Sequence, residues 1–533
     1  MVGKIGAKKT TLAQNDLGNR IRFGGGLSTR ASPDEVNERD CTLGENFSLD
    51  YRNSEFRKRK QFDLAGTAPN GEEIRGFAQL IKRDGTRTLL VQAGPTVYST
   101  DFTTWTSVGT VDETARLRGP RGHIFELDDV VIITDLAGIE PVYTWNGTTF
   151  AAMTHNLAGT FKARYCIVAD ERAFYANVES NSVDTEHLIV GSERSDYANL
   201  SVSDRPSSSL GEADPFFLLS PDTKQINGFV AAFGLIAFST KRGQMWKLSG
   251  ASAKDFTIDP LFAGSAADGD EAVVYVGNDV HFGRAGRLES LAATDRFGDV
   301  ETDDLSVGIS EDITDLDGWT IVYNSREQKV YYHADGDEAL WVFHKALAGS
   351  DLSPWSKWTT RHSMSFDPTC MMALVDPADG LEYIFCGDDS GNVYRLDGSG
   401  SGGDGGTASI RAFRRSALFS SPGFSETYDM EGMLKYRAGL AASVTVRILW
   451  QGQRVFNTVL DLSIPAVTDY EFYGGSSYYG DGSVYGSATD GKIIHERFTV
   501  PGQSADYQVE VEIDGTSEFA ITELALAFSV AGG

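Results

Sequence analysis

The chain has 533 residues, 75 of them acidic and 47 basic, for a net charge of −28. A body this acidic repels phosphate, which argues against gripping nucleic acid with a general basic surface. At 41% apolar and 11% aromatic residues the composition excludes a disordered chain, and the four cysteines have neither CxxC nor metal-ligand spacing.

Charge is spread unevenly. Residues 1–62 carry 12 Lys/Arg against 8 Asp/Glu, a net of +4, which leaves 35 against 67, or −32, for the remaining 471. Met1 to Asn15 lacks the apolar segment of a secretory signal. No apolar run approaches the roughly 18 residues that span a bilayer. The basic excess peaks at Arg57, Lys58, Arg59 and Lys60. Residues 1–74 are expected to form an N-terminal arm whose basic run docks onto an acidic neighbour.

From residue 75 onward short runs of Val, Ile, Tyr, Phe and Trp alternate with Gly, Asp and Asn turns, a β pattern. Asp129-Val130-Val131-Ile132-Ile133 and Lys329-Val330-Tyr331-Tyr332-His333 are examples; near-continuous apolar runs suit strands covered on both faces. A repeat lies beneath them. Thr96-Val97-Tyr98-Ser99, Pro141-Val142-Tyr143-Thr144, Gln244-Met245-Trp246-Lys247 and Asn392-Val393-Tyr394-Arg395 each place an aromatic between an apolar and a polar residue. Their aromatics are 45, 103 and 148 residues apart, near one, two and three multiples of one period. The empty slots fall around His187–Val190, Arg287–Glu289 and Leu340–Phe343. Ala267-Asp268-Gly269-Asp270-Glu271-Ala272 also recurs letter for letter at Ala334-Asp335-Gly336-Asp337-Glu338-Ala339. A period of about 40–50 residues holding three or four strands predicts a β-propeller. Six or seven blades are expected over 75–396; a pair of β-sandwiches with coincidental spacing is the alternative.

Residues 397–406, Asp397-Gly398-Ser399-Gly400-Ser401-Gly402-Gly403-Asp404-Gly405-Gly406, read as a Gly/Ser linker. Beyond it, 407–533 alternates cleanly. Val444, Val446 and Ile448 share one face, as do Val509, Val511 and Ile513, with Gln508, Glu510 and Glu512 opposite. That pattern predicts an antiparallel β-sandwich of about eight strands. The stretch 470–491 is rich in Tyr, Gly and Ser, and Tyr470, Tyr473, Tyr478, Tyr479 and Tyr485 are candidates for partner contact.

Familiar catalytic patterns fail. Gly486 to Ile493 has Walker spacing, but Ile493 replaces the hydroxyl residue and a strand follows. Neither GxSxG nor HExxH occurs. The acidic stretch Asp312–Gly318 departs from a calcium loop at its first and closing ligands. Ser99-Thr100-Asp101-Phe102-Thr103-Thr104-Trp105 resembles the Asp-box of sialidase-like propellers, one residue short; in that family the box is a structural turn. No catalytic, cofactor or metal residue is assigned.

Gly24-Gly25-Gly26-Leu27-Ser28-Thr29-Arg30, Glu45–Asp50, the basic Phe56–Lys60, Ile74–Ala78 and Leu89–Gly94 follow one another in order. Near the C-terminus come the Tyr/Gly-rich stretch, then Phe498-Thr499-Val500-Pro501-Gly502-Gln503 and a closing strand. This arrangement resembles the tail hub or nozzle proteins of short-tailed bacteriophages, some described as packaged-DNA stabilisation proteins. The resemblance implies a structural, non-enzymatic virion tail component, assembled in the host cytoplasm. It implies a homo-oligomeric ring, often a hexamer, below a portal and adaptor, with transient passage of genome DNA along its axis. An acidic wall would repel DNA rather than hold it, since few Lys/Arg are present to release counterions. Asp268, Asp270, Glu271, Asp335, Asp337 and Glu338 are the candidate lumen acids. A propeller-fold glycoside hydrolase or depolymerase, and a receptor- or carbohydrate-binding module, are the rival readings.

Overall fold

A computed structural model describes residues 20–530, apart from 22, 30–31, 51–54, 120–128, 181–182, 233–234, 242, 264–266, 270, 294–299, 361–366, 399–403, 406–408, 421–427, 439–441, 451–456, 465–491, 501–505 and 516–518. Short β-branched and aromatic runs become strands throughout, and the only α-helix among the described residues is the single turn Ser310–Ile313.

Twenty-eight strands form seven four-stranded units, the blades of a propeller. Six blades begin with the inner strands Ile74–Ile81, Leu117–Arg118, Phe161–Ala169, Ile226–Ala232, Val273–Tyr275 and Thr320–Asn324, and run outward in sequence order. In the first two the inner strands pair in parallel, Arg118 opposite Phe77, so these blades share one eight-stranded sheet. The seventh holds Cys370–Val375, Glu382–Gly387 and Asn392–Arg395, and its outermost strand comes from the other end of the propeller, Asp63–Thr67. Pairing the first strand with the last blade closes the ring, and the inner strands Cys370–Val375 and Ile74–Ile81 lie side by side. Each blade is a meander whose two faces are covered by its neighbours.

Local chemistry sets the turns. In the third blade Ala169 pairs with Arg172, so Asp170 and Glu171 alone make the hairpin, both with positive φ (50° and 58°). That is the backbone of a type I′ turn, whose twist matches its strands. In the Asp-box-like turn of the first blade, Asp101 Oδ1 accepts the N–H groups of Thr103 and Thr104 at 2.9 and 2.6 Å. Asn146 does the same for Thr148 and Thr149 in the second blade, at 3.0 and 2.9 Å.

The sandwich has two six-stranded sheets. One contains Phe47–Asp50, Glu55–Lys58, Ala520–Val530, Tyr428–Ala438 and Lys492–Val500, with Arg20–Ile21 beside Ala520–Val530. The other contains Cys41–Glu45, Ile410–Ser416, Asp506–Gly515, Ala442–Trp450 and Asn457–Ile464, with Phe419–Ser420 beside Asp506–Gly515. The predicted alternation holds: Val444, Val446, Ile448, Val509, Val511 and Ile513 are buried. On the opposite face Arg447 bridges Glu510 and Glu512 at 2.9 and 2.6 Å. The eight C-terminal strands are joined by four from the N-terminal segment.

Two expectations are therefore corrected. Residues 1–74 do not form a separate arm over their described part, because strands need partners and these find them in the sandwich and the seventh blade. Nor are 397–406 a free linker at their described ends. Asp397 accepts Lys329 Nζ at 2.9 Å, and Gly398 and Gly405 donate to Gln61 O and Phe62 O at 3.0 and 2.9 Å. The sandwich and the propeller also share one hydrophobic core, in which Phe23, Leu27, Phe47 and Val446 belong with Trp319, Trp341 and Trp355. Gly26 and Leu27 donate to Ser353 O and Trp355 O at 2.7 and 2.8 Å, and Asn46 to Lys357 O at 2.7 Å, so the sandwich is tied along the sixth blade. All four cysteines are free and buried.

Candidate functional site

A four-stranded meander returns the chain to its starting side, so every inner strand begins on the same face of the propeller. The turns between second and third strands lie there too. This places the two acidic repeats together, although they occupy different steps of their blades. Asp268 precedes the inner strand of the fifth blade, whereas Asp335 sits between the second and third strands of the sixth. Asp317 and Asp367 precede the inner strands of the sixth and seventh blades, and the Asp335 N–H donates to Asp317 O at 3.2 Å.

A polar bowl of about 430 Å³ opens on this face, lined in part by Glu73, Arg75, Arg116, His333, Asp335 and Asp367. Crowding shapes its electrostatics. Partial enclosure, then the charges of Asp317 and Asp335, push the Asp268 carboxyl up to about 6. Enclosure also raises Asp335, against the nearby Arg116 and His333. Asp367 is lowered, because the His333 ring hydrogen-bonds to it; the ring Nε2 lies 3.4 Å from its carboxylate and 2.9 Å from Asp337 O.

The candidate lumen acids thus divide. Asp268, Asp335 and Glu338 are exposed on this face. Asp337 is half-buried and accepts the Trp341 indole N–H at 3.0 Å. Glu271 is no free lumen acid, since it pairs with Arg118 and both side chains are 9% exposed. Asp270 lies outside the described residues, as do Tyr470, Tyr473, Tyr478, Tyr479 and Tyr485.

The basic run is not a docking surface. Arg57 pairs with Glu55 at 3.0 Å, Lys58 is buried and donates to Gly515 O, and Arg59 is buried against Asp404. Lys60 is half-buried. Burial opposes the charge on Asp397, but Lys329, the Tyr331 hydroxyl and Lys60 together hold its pKa below the usual value. Cationic groups this close to buried acceptors are held within the fold.

The inner strands surround an axial cavity of about 610 Å³ with a mostly apolar lining. Arg118 of the second blade and Glu271, which leads into the fifth, meet from nearly opposite sides of it. Sequence reading missed this pair, because nothing local marks residues 153 positions apart as partners.

Nucleophilic chemistry finds no support among these groups. Ser356 Oγ and His344 Nε2 are 2.9 Å apart, the separation of a nucleophile and its base. Both are buried within the sixth blade, and burial, helped by Lys329, lowers the His344 pKa to about 3, too low for a base at neutral pH. His281 is likewise buried, with Nδ1 2.6 Å from the Tyr332 hydroxyl. Among the described residues no group of three or more His, Cys, Asp or Glu is placed to hold a metal, and no helix is long and apolar enough to cross a membrane.

No family model matches the sequence, and no curated protein does. Similar solved structures include YCF48 from Cyanidioschyzon merolae, with a TM-score of 0.40 and 11% identity, covering 63% of this chain and 98% of that one. The WD40 domain of Toxoplasma gondii coronin gives a TM-score of 0.37 and 11% identity over 66% of this chain and 87% of that one. The computationally designed Ika8 protein gives 0.34 and 12% over 63% and 99%. Likenesses this distant carry no functional argument.

Proposed function

We propose that this chain is a structural, non-enzymatic tail component of the hub or nozzle type of short-tailed bacteriophages. In this reading it assembles in the host cytoplasm into a ring, probed first as a hexamer, below a portal and adaptor, and conducts genome DNA past an acidic wall. The observation that carries the reading is the convergence of Asp268, Asp335 and Glu338 on one face of a −28 chain. Exposed carboxylates repel phosphate and give DNA nothing to hold, which suits passage rather than binding. The shared core of sandwich and propeller supports it as well, because a wall under load needs a stiff subunit. DNA would pass between subunits, not through a propeller: an axial cavity of about 610 Å³, crossed by an ion pair, cannot thread a duplex.

Native mass spectrometry with electron microscopy of the purified chain, alone and with portal and adaptor, is the test. Rings with a central opening bounded by the Asp268 and Asp335 face are expected. A stable monomer that neither forms rings nor joins the portal assembly, and that cleaves glycans, overturns the reading.

A further inference from the structure

We propose that the axial cavity is a binding site for an uncharged, mostly apolar small molecule with one hydrogen-bond acceptor, held by Arg118. Every blade contributes to its wall; Ile81, Val131, Phe229, Val274, Tyr323 and Met372 come from six of the seven. A volume of about 610 Å³ lies within the range of small-molecule sites.

The second observation is a donor without an acceptor. Arg118 is 7% exposed and lines the cavity. Its Nη2 donates to Glu271, but Nε and Nη1 are buried and have no hydrogen-bond acceptor, with only the weakly accepting Cys370 thiol alongside. Buried donors are normally satisfied, and an unsatisfied pair in a cavity marks where a ligand acceptor would gain most. Charge decides the ligand's class. Glu271 already offsets the Arg118 charge, and Asp268, Asp317 and Asp335 gather on the face where the inner strands begin. An anion would be repelled, whereas a carbonyl or ether oxygen takes the same two N–H groups without that penalty. The site belongs to the single chain and does not depend on ring assembly.

The test uses the purified full chain and two neutral fluorogenic probes. Nile red is apolar and carries a carbonyl; diphenylhexatriene is apolar and has no acceptor. Wild type is expected to bind Nile red saturably at one per chain, at least tenfold more tightly than diphenylhexatriene. Ala231→Trp and Ala373→Trp, at two lining positions on different blades, are each expected to weaken both probes tenfold or more. Arg118→Met with Glu271→Gln removes both charges together and should erase the preference for Nile red while diphenylhexatriene binding persists. Circular dichroism and thermal melting establish which variants are folded, and the two-probe comparison on wild type stands without any of them. No saturable binding, binding indifferent to both filling substitutions in folded protein, or equal affinity for the two probes on wild type overturns the proposal.

Discussion

Arg59 and Asp404, 345 residues apart, form a bidentate ion pair with neither side chain exposed, Nη1 to Oδ1 at 2.8 Å and Nη2 to Oδ2 at 2.5 Å. The same guanidinium donates through Nε to Asn46 Oδ1 at 2.9 Å and through Nη2 to Thr359 O at 3.1 Å, and it lies over the Phe62 ring at 4.0 Å. One side chain thus joins the N-terminal crossing, the segment between the two domains, the sandwich and the edge of the sixth blade. Removing Arg59 leaves the buried Asp404 carboxylate without this bidentate counter-charge, although it keeps the Phe62 N–H at 2.9 Å, so Arg59→Met is expected to cost about 3–5 kcal/mol. Arg59→Met combined with Asp404→Leu should recover much of that loss, as read by denaturant unfolding. A single variant as stable as wild type would show that the pair does not secure the junction.

The hairpin at Asp170 and Glu171 makes a second prediction, in the opposite direction. Glu171 holds φ at 58°, a left-handed backbone that costs a non-glycine residue about 1–2 kcal/mol. Its charge partner Arg194 is 3.9 Å away and stays paired with Asp170 at 2.8 Å, so little is lost with the carboxylate. Glu171→Gly is therefore expected to stabilise the protein by about 1 kcal/mol, less any loss from the freer unfolded chain. Thermal melting checks the sign, and a lower midpoint contradicts it.

The repeat was legible because propeller blades reuse one side-chain pattern at one place. Tyr98, Tyr143, Trp246 and Tyr394 all lie in the third strands of their blades, and so do the slots at His187–Val190, Arg287–Glu289 and Leu340–Phe343. Val444 and Val509 were legible for a similar reason, since alternation is a local property of a half-covered sheet. Strand partnership is not local. Asp63-Leu64-Ala65-Gly66-Thr67 has no apolar run to advertise a strand, and its partner Asn392–Arg395 lies more than 300 residues on. Arg57–Lys60 reads as a docking run for the same reason. The groups that permit burial of Lys58 and Arg59 are Gly515 O and Asp404, which nothing nearby in sequence reveals. The acidic mouth was half legible: the six-letter echo marked both loops, but only the meander topology brings them to one face.

Two groups, the buried His344 and the crowded carboxyl of Asp268, shape the pH dependence of stability in opposite senses. His344 is held down to about 3 from 6.5, so the folded state resists its protonation. Its contribution is complete above pH 6.5 and is lost as pH falls toward 3. Asp268 is raised to about 6 from 3.8, so its contribution is complete below 3.8 and is lost as pH rises through 6. His344→Gln, which can keep a hydrogen bond to Ser356, is expected to flatten the acid limb of a melting-temperature profile. Asp268→Asn should raise the midpoint at pH 7.5 and leave it unchanged at pH 3.5. Shifts of equal size at both ends of the profile would mean that neither titration governs stability.

The exposed acids of the mouth give the sharpest functional prediction, which rests on the channel reading. Reversing Asp268, Asp335 and Glu338 to Lys changes the face from repelling phosphate to attracting it, while leaving the Arg118–Glu271 pair intact. Assembled particles carrying the triple variant are expected to eject their genome more slowly than wild type. The purified ring should also retain duplex DNA at low salt, with an affinity that falls with a slope of roughly −3 in log K against log salt, about −0.9 for each of the new contacts. Glu271 must be kept out of the set, because its replacement by Lys would set two buried cations against each other and confuse misfolding with function. Ejection at the wild-type rate, together with no DNA retention by the ring, would remove this face from the DNA path.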